Sequence, residues 1–180
     1  GDVKVSPFVE GQSSSCDYCP YHSVCGFDRK VKGFEERKPG KIEKKEIYER
    51  YRDGFKDLQV QMNPIMDGTE PNYWLSAMII DKDAMCRQVR DDSTALYIKE
   101  PGKTCPTEIL ETLAAYNAEG RPIWKPMHVQ PMYLEHAFVT RDEADIGADI
   151  FERGLCLPSD NKMTPAEQEI IIEIVKSCFS

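Results

Sequence analysis

The stretch Arg121-Pro-Ile-Trp-Lys-Pro-Met-His-Val-Gln-Pro131 carries basic, aromatic and imidazole side chains on a backbone that contains three prolines. Proline fixes φ and removes a backbone donor, so the stretch is predicted to be extended and stiff rather than helical. Such a segment holds its side chains in set directions, which suits contacts with an anionic ligand. The candidates for those contacts are Arg121, Trp124, Lys125 and His128. This set of residues is not a catalytic motif by itself.

A second interpretation of the same stretch involves packing alone. In that interpretation Trp124 and Met127 belong to the hydrophobic core, and His128 is an ordinary buried or half-buried histidine. Arg121 and Lys125 are then solvated cations on the surface. The residue types leave both interpretations open.

Another group of candidate ligands lies near the beginning of the sequence, where Cys16, Cys19 and Cys25 stand close together with His22 among them. Two cysteines three residues apart can bind one ion from a tight turn, and a third cysteine six residues on can close over it. The spacing therefore suits a metal ion or an iron–sulfur cluster. His22 offers a fourth ligand to zinc, whereas a four-iron cluster would prefer a fourth cysteine from elsewhere. In the alternative interpretation the thiols are reduced and bind nothing.

The composition is ordinary for a soluble globular protein, with 41% hydrophobic and 30% charged residues among 180. The formal net charge of -8 argues against a general nucleic-acid binder. No apolar run approaches the length of a membrane span, and the first residues show no secretory signal pattern. A cytoplasmic protein without membrane partners is therefore expected. The four scattered cysteines are predicted to be buried small hydrophobic residues, and they are Cys86, Cys105, Cys156 and Cys178.

The elements that must position these side chains follow from periodicity and from turn residues. A helix is predicted from Ile42 onward, because Ile47, Tyr51 and Phe55 recur at a spacing of four residues. Residues 73–80 read as a buried strand, and residues 121–125 as a short one. A helix is predicted to open at Pro106 and to stop before Gly120. Its predicted apolar face consists of Ile109, Leu110, Leu113 and Ala114.

The second half of the chain adds a helix through Phe151, a short strand at Leu155–Leu157 and a final helix. The final helix begins at a capping box, Thr164-Pro-Ala-Glu167. Its predicted apolar face consists of Ile170, Ile171, Ile174, Val175 and Cys178. Residues 85–97 remain ambiguous and are interpreted as an insertion. The expected fold is α/β (α+β), a small helix-backed sheet over residues 41–180, with an irregular cysteine-containing arm and linker over residues 1–40.

Three stretches stand in the order and approximate spacing seen in the DegT/StrS-type sugar aminotransferases. They are Asn72-Tyr-Trp-Leu-Ser76, Arg121-Pro-Ile-Trp-Lys-Pro-Met-His128 and Phe151-Glu-Arg-Gly-Leu-Cys-Leu-Pro-Ser159. Residues 41–180 thus resemble the carboxy-terminal small domain of that family of pyridoxal-phosphate enzymes. The resemblance is strongest to the branch that aminates nucleotide-linked 4-keto-6-deoxy sugars in surface glycan or pilin glycosylation.

The resemblance implies that the lysine that bears the coenzyme, and the other residues that bind the coenzyme, belong to a separate large domain. None of the motifs of that domain occurs here, so the chain is expected to be a truncated or fused piece without transamination activity of its own. For a nucleotide sugar or its phosphates, the resemblance implies contacts from Arg121, Lys125 and His128. Trp124 and Tyr73, with Asn72, would shape the wall of the pocket. A homodimer or a separately encoded large domain is a possible partner, which gives an interaction or dimerisation domain as a further alternative.

A second resemblance covers residues 1–39, which are similar to the end of the B subunit of AddAB-type helicase-nucleases. In that family three closely spaced cysteines join one distant cysteine to hold an iron–sulfur cluster. The resemblance places the three at Cys16, Cys19 and Cys25, whereas the distant cysteine and the acidic nuclease motif lie outside this sequence. An iron–sulfur or zinc module without nuclease activity is therefore the alternative function. The seam between the two resemblances is predicted near Pro39-Gly40.

Overall fold

The computed structural model describes residues 9–10, 13–14, 16–17, 43–90, 94–141 and 143–180. The chain divides into two compact units, Gly1–Lys41 and Ile42–Ser180. In the first unit, strand β1 (Val9–Glu10) pairs antiparallel with strand β2 (Ser13–Ser14).

The second unit contains helices and short strands that alternate irregularly along the chain. The helices are α1 (Lys44–Gly54), α2 (Pro106–Ala115), α3 (Ile146–Arg153) and α4 (Pro165–Ser177). The strands are β3 (Val60–Met62), β4 (Ser76–Ile80), β5 (Gln88–Arg90), β6 (Ala95–Tyr97), β7 (Arg121–Pro122) and β8 (Gly154–Leu157). Within the described part of the chain, no helix has the length and apolar character needed to cross a membrane.

Four strands form one sheet in the order β3, β4, β8, β7, and each neighbouring pair is antiparallel. The register places Ser76 opposite Leu157 and Arg121 opposite Cys156. Because β7 is an edge strand, it tolerates Pro122, which has no N–H to donate. This mixture of helices with an antiparallel sheet confirms the predicted α+β fold class.

The core lies between this sheet and three of the helices. Met78 and Ile80 of β4 point to the same face as Leu155 and Leu157 of β8, and all four are buried. Helices α1, α2 and α4 bury their apolar faces in the same cluster. Successive side chains of a strand point to opposite faces, which explains why Ala77 and Ile79 are less buried than their neighbours.

Helix α1 confirms the predicted stripe, since Ile47 and Tyr51 are fully buried and Phe55 is 2% exposed. Helix α4 confirms the capping box. The Glu167 N–H donates to Thr164 Oγ1 at 3.2 Å, and the Thr164 N–H donates to Glu167 Oε2 at 2.7 Å. These two bonds satisfy donors that the first helical turn would leave unpaired.

One member of the face predicted for α4 is wrong, because Ile170 is 58% exposed. Residues of an α-helix are separated by roughly 100°. On that spacing the buried arc of α4 runs from Ile174 to Ile172, and Ile170 falls just outside it. The sequence pattern predicted the right helix but shifted its apolar arc by one position, because it included Ile170 and omitted Ile172, which is 2% exposed.

Helix α2 ends earlier than predicted, at Ala115 rather than just before Gly120. Asn117 adopts φ 58°, a left-handed conformation that asparagine tolerates after a helix end. Ala114 was predicted to be on the apolar face but is exposed, whereas Ile109 and Leu113 are fully buried. The four scattered cysteines are all buried, as predicted.

Two predicted strands are shorter in the structure. The strand predicted from Tyr73 begins at Ser76, because the Trp74 N–H donates to Asn72 Oδ1 at 3.0 Å and Tyr73 adopts φ 50°. This local turn replaces strand pairing. The strand predicted over residues 121–125 contains only Arg121–Pro122. The strand predicted at Leu155–Leu157 is confirmed and includes Gly154.

The ambiguous residues 85–97 contain an antiparallel hairpin of β5 and β6. Its inner face is anchored, since Gln88 Nε2 donates to the Glu152 carbonyl at 2.7 Å and the Arg90 guanidinium lies 4.2 Å from the centroid of the Phe151 ring. Its outer face carries Val89 opposite Leu96, which are 61% and 64% exposed.

Helix α3 runs into β8 with no intervening loop, because Arg153 is the last helical residue and Gly154 is the first of the strand. A Cβ atom at position 154 would lie 2.5 Å from the Ile150 carbonyl oxygen, so only glycine fits this close junction. Arg153 reinforces it: Nε donates to Asp149 Oδ1 at 3.0 Å, and Nη1 donates to the Ile80 carbonyl at 2.5 Å. Helix, strand β8 and strand β4 are thereby tied together.

Candidate ligand-binding site

A cavity of about 690 Å³ lies beside strands β7 and β8. This volume falls within the range of small-molecule sites in proteins, roughly 300–1,000 Å³. Its wall includes side chains from all three sequence stretches singled out above. Among the described lining residues are Trp74, Arg121, Trp124, Lys125, Phe151 and Ser159.

Two tryptophans form the aromatic part of the wall. The rings of Trp74 and Trp124 have centroids 6.1 Å apart and planes inclined by 35°. The two side chains are 64% and 65% exposed, so their faces are accessible to a ligand. The Asn72 turn presents Trp74, and the edge strand β7 leads directly to Trp124. Indole faces of this kind stack on planar rings.

The charged part of the wall contains Lys44, Arg121 and Lys125 together with two carboxylates, those of Glu119 and Asp160. Arg121 Nη2 lies 2.7 Å from Glu119 Oε1, and both side chains are 75% exposed. Exposed ion pairs contribute little free energy, so a ligand anion can compete for the guanidinium. Lys44 Nζ donates to the Ser159 carbonyl.

The floor of the cavity is held by hydrogen bonds that reach across the sheet. Ser159 Oγ accepts from the Ser76 N–H at 3.0 Å and donates to the Leu157 carbonyl at 2.9 Å. The Tyr51 hydroxyl donates to the Pro158 carbonyl at 2.7 Å, and burial raises the pKa of that hydroxyl. Burial also raises the pKa of the Cys156 thiol, which disfavours its thiolate form.

Three of the six residues predicted to bind a ligand line this cavity, namely Arg121, Trp124 and Lys125. Asn72 and Tyr73 do not line it. Asn72 instead shapes the turn before Trp74, and the Tyr73 ring packs against Tyr48 with centroids 5.4 Å apart.

His128, the sixth predicted residue, also lies outside the lining. Its Nε2 is 2.6 Å from Asp145 Oδ2, and its ring stacks on Phe138 with centroids 3.6 Å apart. Asp145 in turn accepts the Ala148 N–H at 2.9 Å and caps helix α3. That backbone hydrogen bond, followed by the hydrogen bond from His128, lowers the pKa of the Asp145 carboxyl. His128 thus links the segment that follows strand β7 to the first residue of helix α3.

Sequence reasoning did not single out Lys44, Trp74 or Ser159 as site residues. Trp74 lies beside Tyr73 in the first stretch, and Ser159 ends the third, so the stretches themselves were the available signal. No sequence pattern indicated Lys44, because it contacts Ser159, a residue far away in the sequence.

Of the predicted metal ligands, only Cys16 lies within the described residues. It is a free, half-buried cysteine whose N–H donates to Ser14 Oγ at 2.9 Å. Cys19, His22 and Cys25 lie outside the described residues, so the predicted metal site stays a prediction. Elsewhere in the described ranges, no group of three or more histidine, cysteine or acidic residues is placed to hold a metal.

Comparison with known proteins matches most of the chain to one family. Residues 34–176 match the DegT/DnrJ/EryC1/StrS aminotransferase family. The chain is also 30% identical over 142 residues to EpsN of Bacillus subtilis (strain 168), whose name describes a pyridoxal phosphate-dependent aminotransferase. That match covers 77% of this chain and 31% of EpsN.

A solved structure of the sugar aminotransferase Spr1654 from Streptococcus pneumoniae, in its PMP form, resembles this fold with a TM-score of 0.56 and 19% sequence identity. The likeness covers 76% of this chain and 30% of that one. The chain therefore spans about a third of the length of these relatives.

A separate, short match links the chain to one subunit of the ATP-dependent helicase/deoxyribonuclease of Moorella thermoacetica. The identity is 43% over 42 residues. The match covers 23% of this chain and only 4% of that helicase/deoxyribonuclease subunit.

The described cavity does not fit pyridoxal phosphate as a complete site. That coenzyme takes a lysine for its Schiff base and an acidic partner for its ring nitrogen. Both carboxylates on the wall belong to exposed residues, Glu119 and Asp160, so neither is a buried partner for a ring nitrogen. Two lysines line the wall, Lys44 and Lys125, and the Lys44 ammonium is bound to a backbone carbonyl.

Proposed function

Since this chain belongs to the DegT/DnrJ/EryC1/StrS aminotransferase family, we propose that residues 41–180 form the small domain of a sugar aminotransferase and supply one wall of its nucleotide-sugar site. The substrate class we assign is a nucleotide-linked 4-keto-6-deoxy sugar, used in surface glycan or pilin glycosylation. The observation that carries this proposal is the meeting of Trp74, Arg121, Trp124 and Lys125 around one cavity.

The chemistry of the wall matches the two ends of such a ligand. A guanidinium binds phosphate oxygens in a bidentate manner, and a lysine ammonium adds a second positive charge, so Arg121 and Lys125 suit a diphosphate. The faces of Trp74 and Trp124 suit a nucleobase or the apolar face of a sugar ring. Pyridoxal phosphate supplies the amino-group chemistry in the whole enzyme. This chain contributes binding and is not expected to transaminate alone.

Calorimetric titration of the full chain with UDP- and dTDP-linked 6-deoxy sugars tests the proposal. We expect binding that Arg121→Gln weakens roughly fivefold or more, because a charge-assisted phosphate contact is lost. Arg52→Gln is the matched control, since Arg52 is an exposed arginine that also pairs with a carboxylate, Asp53, but does not line the cavity. Absence of binding at millimolar ligand, or equal weakening by both variants, contradicts the assignment.

The second candidate function is a metal or iron–sulfur module in residues 1–40, and the match to the helicase/deoxyribonuclease subunit favours it. Cys16, Cys19 and Cys25 would be the ligands, with His22 as a fourth for zinc. Iron and zinc analysis of anaerobically purified protein, beside a Cys19→Ser variant, is the test. Less than about a tenth of an equivalent of either metal removes this candidate, because a structural site of useful affinity retains its metal.

A further inference from the structure

Arg90, the last residue of strand β5, extends from the β5–β6 hairpin to Phe151 of helix α3. Its guanidinium carbon lies 4.2 Å from the centroid of the Phe151 ring, well inside the reach of a cation–π contact. Arg90 Nη2 also donates a hydrogen bond to the Phe151 carbonyl. One side chain therefore contacts both the ring and the backbone of the same residue.

The guanidinium of Arg90 depends on this aromatic ring. Its Nε and Nη1 atoms are buried and have no hydrogen-bond partner within the described residues. Burial lowers the pKa of this guanidinium, and the Glu152 carboxylate opposes the shift. A cation–π contact is strongest where the cation is desolvated. The face of the Phe151 ring is therefore the partner that offsets the burial of these two donors.

Gln88 fixes the strand that carries Arg90. Successive strand residues point to opposite faces, so Gln88 and Arg90 share the inner face of the hairpin, while Val89 lies on the outer one. Gln88 Nε2 donates to the Glu152 carbonyl at 2.7 Å, and Gln88 Oε1 accepts from Thr107 Oγ1 at 3.0 Å. Thr107 is 5% exposed, so water competes little for the second bond. Arg90 thus extends from a strand that two helices hold in place.

Phe151 lines the cavity, whereas Arg90 does not. The ring adds a third aromatic side chain to the wall beside Trp74 and Trp124. The two tryptophans are exposed, while Phe151 is only half-buried and is held by the arginine. A wall that is fixed before the ligand arrives costs less ordering entropy on binding. Arg90 is therefore placed to influence a ligand through the Phe151 ring rather than by direct contact.

We infer that Arg90 is a positioning residue of the proposed nucleotide-sugar site, which fixes the Phe151 ring in the cavity wall and thereby raises ligand affinity. The inference rests on the proposed function. It gives the β5–β6 hairpin a role in binding, although none of the described hairpin residues lines the cavity. It also requires that Arg90 has no effect on binding once the Phe151 ring is removed.

The mobility of the Phe151 ring tests the inference without a ligand. The full chain carries isotopically labelled phenylalanine, Phe151→Leu assigns the resonance, and NMR relaxation measures the rate of ring flipping. Arg90→Met keeps the apolar stem but removes the guanidinium, so flipping should accelerate about tenfold or more. Arg87→Met is the matched control, because Arg87 is an exposed arginine beside the same strand. An unchanged rate in Arg90→Met, or equal acceleration in both variants, overturns the inference.

A second variant covers the case in which Arg90→Met unfolds the hairpin, which amide hydrogen exchange of Val89 and Leu96 would reveal. Arg90→Lys keeps a cation over the ring but loses the planar guanidinium. Its ring-flip rate should stay within roughly threefold of the native rate, because the cation–π contact persists. A rate as fast as that of Arg90→Met would show that the charge does not hold the ring.

A double-mutant cycle tests the effect on binding. In calorimetric titration with a UDP-linked 6-deoxy sugar, Arg90→Met should weaken binding by roughly fivefold, because the ring must be ordered on binding. In the Phe151→Leu background the same change should cause no further loss, since the two residues act as one unit. Equal losses in the two backgrounds would mean that Arg90 acts by another route, and the inference would be wrong.

The positioning inference and the proposed function fail separately. Absence of binding by the native chain contradicts the proposed function, and the ring-flip rates then still decide whether Arg90 fixes Phe151. Binding that Arg121→Gln weakens but Arg90→Met leaves unchanged overturns only the positioning inference.

Discussion

The helical core and the cavity wall of this domain differ in how far their large apolar side chains are exposed. In the core, Ile47, Ile109 and Leu113 are fully buried, and helix periodicity places them there. On the wall, Trp74 and Trp124 are about two-thirds exposed and are presented by turns and an edge strand. Large apolar residues thus stabilise the core by being buried. On the cavity wall, a hydrogen-bonded turn and an edge strand keep such residues exposed to solvent.

The largest expected effect contrasts a core residue with a wall residue. Leu113→Ala should lower the free energy of unfolding by about 2–5 kcal/mol, because it removes a fully buried side chain and leaves a cavity. Trp124→Ala should lower it by less than about 1 kcal/mol, because the indole is mostly exposed. Urea denaturation followed by circular dichroism measures both values. Comparable losses in the two variants would erase the distinction between the regions.

A smaller effect is expected where a polar contact fastens the wall to the sheet. Arg153→Met keeps the length of the side chain but removes its bonds to Asp149 and to the Ile80 carbonyl. We expect a loss of about 1.5–3 kcal/mol in urea denaturation, as for other hydrogen bonds to charged groups. Lys176→Met, which removes an exposed pair with Glu173, is the matched control and should change stability little. An unchanged midpoint for the arginine variant would show that α3 is held by packing alone.

Acid should weaken the same contact. The hydrogen bond from Arg153, with a lesser contribution from Lys82, lowers the pKa of Asp149 from its ordinary value of 3.8, and burial opposes the shift. A carboxylate with a lowered folded-state pKa stabilises the fold above its unfolded value, and this stabilisation is lost as the pH falls through the folded value. Thermal melts between about pH 5 and pH 2 should therefore show a steeper decline for the native chain than for Asp149→Asn. Parallel declines would mean that the ion pair contributes nothing to folding.

No effect at all is expected from the coenzyme on the isolated chain. After incubation with pyridoxal phosphate and borohydride, mass spectrometry should find no stoichiometric adduct, because the Lys44 ammonium is engaged with Ser159 and Glu119 is paired with Arg121. A chain treated with acetic anhydride serves as a positive control for accessible lysines. A single lysine modified to completion by the coenzyme would contradict the assignment of binding without chemistry.

The sequence could predict those elements whose signals are local. The stripe of α1 and the Thr164 capping box each lie within a few turns of helix, so spacing and caps were sufficient. The short reach of α2 was missed because the left-handed Asn117 ends it before Gly120 does. This misplacement does not affect the packing of the core, because Ile109 and Leu113 are fully buried.

The site could be predicted only in part, because its contacts join distant positions. Arg121, Trp124 and Lys125 share one stretch and were found together. The floor depends on strand register, which brings Ser76 to Ser159 across a separation of 83 residues. His128 stood out by its residue type, but its partner Asp145 lies 17 residues away in another element. No local pattern indicates such a pair.

The loop-free junction at Gly154 limits how the cavity can change shape. A helix that passes straight into a strand, with its last arginine bound to the neighbouring strand, has no place for a hinge. Helix α3, including Phe151 on the cavity wall, must therefore move together with the sheet as one rigid unit. A change in the width of the cavity entrance therefore has to come from the two tryptophans. Trp74 lies on a turn, and Trp124 follows a strand of only two residues.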